Sequence, residues 1–276
     1  MTYERKIDFA IRLLRSIPQD GPIELSYSGG KDSDVILELA RMAGIPFEAI
    51  YKNTTIDPPG TIAHCRENGV IIAHPRKSMF QIIEEKGWPT RRARFCCSEL
   101  KEYKIHDRAI QGIRRSESIA RAKRYKEPEF CRTYPHNEKV RIYLPVLEWT
   151  NEDVQRFIEE RGIKCHPLYY DKDGKFLVER RLGCVGCPMQ SDCGKADFKQ
   201  YPGMLREWIR REKKYLDSHP SSAAKKKFAT AYNMAFHNLF TKSYEEYKGY
   251  VSGLLPDADV DTKLFLENYF NIDLTY

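Results

Sequence analysis

Ser26-Tyr27-Ser28-Gly29-Gly30-Lys31-Asp32-Ser33 is the stretch whose reading decides the fold. An apolar run, residues 23–27, leads into it and reads as a strand, while Ile36, Leu39, Ala40 and Ala43 beyond it recur at helical spacing. A strand, a glycine turn and a helix N-terminus follow one another, and at such a junction free backbone N–H groups and the positive end of the helix dipole face outward together. Gly29 and Gly30 let the main chain approach a ligand with no Cβ in the way. Ser26, Ser28 and Ser33 add hydroxyls, and Lys31 adds a charge that reaches a phosphate. The natural guest is a phosphate-bearing ligand. The G-x-x-x-x-G-K-[ST] loop of kinases and GTPases is excluded, because the glycine span before the lysine is too short.

Outward from this stretch the chain alternates strands and helices. Residues 3–17 read as a helix ended by Pro18 and Gly21, 33–43 as a helix, 47–51 as a strand, 60–68 as a helix, 70–74 as a strand and 79–86 as a helix. That alternation implies a parallel sheet with helices on both faces and ligands at the carboxyl ends of the strands. A helix from 98 to about 109, a polar stretch to Lys139 and a strand over 141–147 come next. Thr150 then caps a helix with Asp153 three residues on, closed at Gly162. From Lys195 the pattern is helical throughout, and the spacing of Trp208, Tyr215, Phe228, Tyr232, Phe236 and Phe240 reads as core packing. The expected plan is an α/β fold, a doubly wound parallel sheet over residues 1–194, with a helical C-terminal region over 195–276.

Hydrophobic residues make up 41% of the 276 and charged residues 31%, which excludes a disordered chain. No apolar run approaches the roughly 18 residues of a membrane span, and MTYERKIDFAIRLLRS at the start reads as a charged amphipathic helix; a cytoplasmic place away from membranes is the expectation. The net charge is +7, and residues 91–132 alone carry 13 Lys/Arg against 6 Asp/Glu. Within that basic stretch, Arg114 and Arg115 follow Gly112 and read as anion contacts.

Eight cysteines in a reducing compartment point to metal or reactivity before disulfides. Cys96-Cys97 and Cys184-Val185-Gly186-Cys187 form two close pairs, and four thiolates suit zinc or an iron–sulfur cluster. Cys65, Cys131 and Cys165 read as small buried or half-exposed residues, whereas Cys193 is open between spare ligand, persulfide carrier and structural residue. His64, His74, His106 and His136 have no partner legible in the sequence.

Ser-Gly-Gly-Lys-Asp-Ser resembles the pyrophosphate loop of the ATP pyrophosphatases, in which ATP is split between its α and β phosphates and a substrate is adenylylated. The Cys-Cys pair with a C-x-x-C 87 positions after its second member resembles the [4Fe-4S] pattern of adenylyl-sulfate reductases. Phe95–Lys101, Gly112–Ser118, Leu144–Thr150 and His166-Pro167-Leu168-Tyr169 extend the likeness in order. Over most of residues 20–190 the chain resembles the phosphoadenylyl-sulfate (PAPS) reductase family of the adenine nucleotide α-hydrolase superfamily.

The resemblance implies a site as well as a fold. ATP and Mg²⁺ are expected at the loop, with Lys31, Asp32 and Ser33 catalytic and Ser26, Ser28, Gly29, Gly30, Arg114 and Arg115 also binding the nucleotide. A [4Fe-4S] cluster is expected on Cys96, Cys97, Cys184 and Cys187, placed to hold a sulfur or to brace the site. Two departures bear on the reaction. Sulfonucleotide reductases end in a Glu-Cys-Gly-(Ile/Leu)-His segment whose cysteine attacks sulfur, and no cysteine follows Cys193; their loop is also usually degenerate, while this one is intact. Both favour the branch of DNA phosphorothioation and cluster-bearing thiolation enzymes. It implies adenylylation of a nucleic acid, DNA or tRNA, and sulfur from a cysteine desulfurase or another donor. The alternatives are a reductase making sulfite with thioredoxin, its nucleophile moved to Cys193, and a nucleic-acid-binding subunit of a modification or defence complex.

Overall fold

The computed structural model describes residues 1–134, 138–252 and 261–275. They divide into two compact units, one of Met1–Asn53, Asp57–Pro75 and Ser98–Gly183, the other of Thr54–Ile56, Arg76–Cys97 and Cys184–Tyr276. The expected boundary at residue 194 falls inside the second unit, which also takes up two earlier segments. No helix among the described residues is long and apolar enough to cross a membrane.

Six strands make the sheet of the first unit: β1 (Ile23–Tyr27), β2 (Glu48–Lys52), β3 (Ile71–Ala73), β4 (Arg108–Gln111), β5 (Glu129–Thr133) and β6 (Lys139–Tyr143). Their order is β3-β2-β1-β4-β6-β5, parallel except for β5, which runs against β6. β1 is central, with Glu24 level with Glu48 of β2 and Ala109 of β4. Its alternation sends Ile23, Leu25 and Tyr27 into the core with Ala10 and Leu14 of α1 (Tyr3–Arg15) and Val35 and Leu39 of α2 (Lys31–Ala43). Glu24 and Ser26 therefore belong to the other face. α2 starts at Lys31, two residues earlier than the periodicity indicated, and ends on Gly44 at φ 67°.

The helices α3 (Thr61–Glu67), α4 (Met79–Lys86), α5 (Phe95–Leu100) and α6 (Ile119–Arg124) follow. The helix expected over 98 to about 109 stops at Leu100, and Arg108–Gln111 is instead β4, hydrogen-bonded beside β1. β5 lies within the polar stretch before Lys139; as an edge strand it alternates exposed and half-buried residues and lacks a continuous apolar run. α7 (Asn151–Arg161) carries the reciprocal Thr150–Asp153 capping box and closes on Gly162 at φ 61°, as its sequence indicated.

The second unit contains α4 and then α8 (Lys195–Gln200), α9 (Pro202–Ser218), α10 (Ala223–Lys227), α11 (Ala231–Phe240), α12 (Tyr244–Val251) and α13 (Thr262–Phe270). Arg211 and Lys214 of α9 both reach Glu84 of α4, at 2.5 and 2.9 Å. Trp88, Phe198 and Trp208 pack edge to face, and Trp208, Phe228 and Phe236 are buried as core.

Glu212 of α9 is 0% exposed, and neither of its carboxylate oxygens has a hydrogen-bond partner among the described residues. Burial pushes its pKa up to about 8, with the Trp88 backbone opposing. The folded state thus binds a proton that the unfolded chain releases near pH 4.3. Its contribution is complete below that pH, declines as pH rises and is gone above about 8. Glu212→Gln is expected to flatten this decline, gaining roughly 4 kcal/mol on the native protein between pH 5 and 9. Thermal melts of both proteins across that range check it, and parallel curves refute it.

Candidate functional site

β1 runs into the turn at its carboxyl end, where Gly29 adopts φ 77° and a Cβ would come within 3.0 Å of Thr61. Gly30 caps α2 with no side chain; its carbonyl accepts from Ser33 N at 2.9 Å and Asp34 N at 3.1 Å. Those two amides are satisfied within the chain, and no side chain caps the start of α2. Gly112, just past β4, lies so close that a Cβ there would sit 2.8 Å from the Asp32 carbonyl oxygen.

Lys31 is 4% exposed, its ammonium 3.4 Å from Asp32 Oδ2 and 5.4 Å from the centre of the Tyr169 ring. Burial lowers its pKa, Asp32 works against that, and Arg114 and Arg181 add to it. The hydroxyls are already oriented. Ser33 Oγ donates to the Gly30 carbonyl at 2.6 Å, Ser28 Oγ to Ser33 Oγ at 3.3 Å, and Ser26 Oγ to Glu24 Oε1 at 2.7 Å.

The two arginines singled out in the sequence are bound to protein groups. Arg114, 1% exposed, donates from Nε to Asp32 Oδ1 at 2.7 Å, from Nη1 to Ser116 Oγ at 3.0 Å and from Nη2 to Asn151 Oδ1 at 2.9 Å. It holds Asp32 in place. Arg115 donates to the Tyr125 carbonyl at 2.7 Å, to Glu148 and to the Lys126 carbonyl. Neither lines the cavity at the loop, a space of about 330 Å³ walled by Ser26, Ser28, Gly30, Lys31, Asp32 and Ser33 together with Gln111, Glu117, Arg121, Tyr169 and Arg181. Arg121 and Arg181 were not foreseen, and the local basic surplus was the sole hint of Arg121. Arg121 pairs with Glu117, and Arg181 Nη2 donates to the Glu117 carbonyl at 2.8 Å. Burial, then the charge of Arg181, lowers the Arg121 pKa.

Beneath the loop, Asp34 accepts from the Tyr27 hydroxyl and lies 2.9 Å from His64 Nε2, so His64 has the partner its sequence did not reveal. His106 lies 2.6 Å from Glu48, and His136 is outside the described residues. Cys65 and Cys165 are buried, and burial raises both thiols, Cys65 to about 12; Cys131 is exposed.

Cys96, Cys97, Cys184 and Cys187 all belong to the second unit. A hydrogen bond with Cys97, burial, and then the charges of Cys97, Cys184 and Cys187 raise the Cys96 pKa. The turn carrying Cys184 and Cys187 is fixed at Gly186, φ 72°, where a Cβ would lie 2.2 Å from the Phe198 ring. Cys184 Sγ donates to Thr54 Oγ1 at 3.6 Å, and Arg94 Nη2 donates to Cys97 Sγ at 3.5 Å. Among the described residues no group of three or more His, Cys, Asp or Glu side chains is arranged to hold a metal ion. Cys193 is half-buried, at φ 60°.

A model of the phosphoadenosine phosphosulfate reductase domain matches residues 22–190. An uncharacterised protein of Methanocaldococcus jannaschii is 30% identical over 201 residues, 68% of this chain and 46% of that one, so the chain spans less than half that relative's length. Sulfate adenylyltransferase subunit 2 of Shewanella pealeana is 28% identical over 213 residues, 61% of this chain and 70% of that one. Among solved structures, a phosphoadenylyl-sulfate reductase of Candida auris aligns with a TM-score of 0.44 at 15% identity, covering 66% of this chain and 93% of that one.

Proposed function

The chain belongs to the phosphoadenosine phosphosulfate reductase domain family, and from that premise we propose that it binds ATP at the loop and transfers the adenylyl group to an acceptor. The observation that carries this reading is the charge of the cavity: Lys31, Arg121 and Arg181 face it against Asp32 and Glu117, at a helix N-terminus that no side chain caps. An acceptor oxygen attacks the α-phosphorus, the bond to the bridging oxygen breaks, and pyrophosphate leaves towards Lys31 and the α2 amides. Those groups stabilise the charge that develops on it. Asp32 lines the cavity beside Lys31, and its carboxylate would hold Mg²⁺, an ion usually held by one or two carboxylates with the substrate phosphates. The metal would offset phosphate charge.

In the second unit, Cys96, Cys97, Cys184 and Cys187 offer four thiolates, the donor set that a [4Fe-4S] cluster takes, and their chemistry supports these residues as its holders. Such a cluster, when bound, supplies iron-linked sulfur chemistry. Protein purified without oxygen is expected to contain about four iron and four sulfide per chain, and Cys96→Ser to lose most of both. Stoichiometric zinc without sulfide refutes the assignment.

The acceptor in this reading is a nucleic acid, DNA or tRNA, supported by the basic surplus of residues 91–132, and a cysteine desulfurase or similar donor supplies the sulfur that displaces AMP. The test incubates purified protein with ATP and Mg²⁺, alone and with duplex DNA, tRNA or sulfate, and measures pyrophosphate and AMP. Release that rises with a nucleic acid is expected. Sulfite made from adenylyl sulfate or its 3′-phosphorylated form with thioredoxin, while ATP stays intact, overturns the reading in favour of a reductase. A rise with sulfate alone replaces the nucleic acid as acceptor.

A further inference from the structure

Glu24 is an acid in the central strand of a sheet, a place where a carboxylate is costly. It is 3% exposed. Its Oε1 accepts from Ser26 Oγ at 2.7 Å and pairs with Lys52 Nζ at 3.3 Å. Lys52 also donates to the Tyr103 carbonyl at 2.7 Å and lies over that ring. Glu24 Oε2 has no hydrogen-bond partner among the described residues.

Glu24 walls a second cavity, of about 240 Å³, with Tyr51, Lys52, Arg132 and Tyr134. Ser26, Ser28 and Gln111 wall this cavity and the one at the phosphate loop alike, so the two adjoin. Arg132 is already taken by Glu102 at 3.0 Å and by the Tyr134 ring. Glu24 thus keeps a carboxylate oxygen that can only accept. A ligand that fills this cavity meets that oxygen with a donor, a hydroxyl or an amine.

Resting on the ATP reading, we propose that Glu24 is a specificity-determining residue that accepts a hydrogen bond from the nucleoside of ATP, from a ribose hydroxyl or the 6-amine of adenine. With the triphosphate on the loop, the nucleoside it carries enters the adjoining cavity. Lys52 and Ser26 fix Oε1, which leaves Oε2 turned to the ligand. An acidic residue meets a ribose hydroxyl in the same way in dinucleotide sites.

The test is titration calorimetry of the whole chain with ATP, 2′-deoxy-ATP, 3′-deoxy-ATP and inosine triphosphate, for the native protein and for Glu24→Gln. That change puts an N–H donor where Oε2 stands. The native protein is expected to bind the analogue lacking the recognised donor about tenfold or more weakly than ATP, as one hydrogen bond to a charged group implies. In Glu24→Gln the gap shrinks to about twofold or less. Where Glu24→Gln does not fold, by circular dichroism, Glu24→Asp takes its place; it keeps the charge, withdraws the oxygen, and is expected to narrow the gap as well. Equal affinity of the native protein for all four nucleotides overturns the proposal without any variant. So does a variant that keeps the native ranking. No binding of any of the four defeats the ATP reading itself, and Glu24's role with it.

Discussion

Lys31→Ala is expected to slow pyrophosphate release from ATP at least tenfold, equivalent to about 1.4 kcal/mol of transition-state stabilisation. Lys31 is a side-chain cation within the loop, buried at 4% exposure and held by Asp32, so little reorganisation is needed when negative charge grows on the departing phosphates. Arg121 and Arg181 are more distant in sequence and already share Glu117, and do not replace it. Quenched-flow or coupled pyrophosphate assays measure the effect, with circular dichroism as the control for folding. A rate within twofold of the native protein would remove Lys31 from the mechanism. Ser33→Ala is the milder change, because its hydroxyl donates to the Gly30 carbonyl and acts by shaping the turn.

Arg114→Ala carries the largest expected cost in stability. The guanidinium joins the first turn of α2, through Asp32, to Ser116 and to Asn151 at the start of α7, while itself 1% exposed. Removing it leaves those acceptors without their donor and Asp32 with Lys31 alone as counter-charge, a loss of about 3–5 kcal/mol. The melting transition is expected to fall on the order of 10 °C. Arg114→Lys recovers little, since an ammonium cannot span the same directions as a planar fork. Arg115→Ala should move the transition far less, because its Glu148 pair is partly solvated. Differential scanning calorimetry separates these cases, and an Arg114→Ala protein melting within 2 °C or so of the native one refutes the role.

How much was legible follows from how local each signal is. β1, the turn and α2 were readable because apolar periodicity, glycines and a helix start coincide within about twenty residues. The Thr150 cap of α7 was legible for the same reason. β4 was not, since Arg108–Gln111 offers only Ala109 and Ile110 as apolar residues, and its strand character comes from lying between β1 and β6. Arg114 shows the limit for site residues. Its place after Gly112 marks it as near the anion site, yet the acceptors that claim its donors come from three separate segments of chain. Arg181 and Glu24 reach their cavities through tertiary folding alone, and no motif surrounds either.

The two rims of the sheet carry a consequence for self-association. One rim is β3, three residues long, which presents few unpaired backbone groups to a neighbouring chain. The other is β5, an edge strand that carries the charged residues Glu129 and Arg132. Short length at one end and charge at the other are the means by which sheets resist lateral growth. A second copy that added its own strand would gain little at either rim. Any assembly of this protein is therefore expected to run through helices or loops, and aggregation on storage to begin from unfolded chains, not from the native sheet.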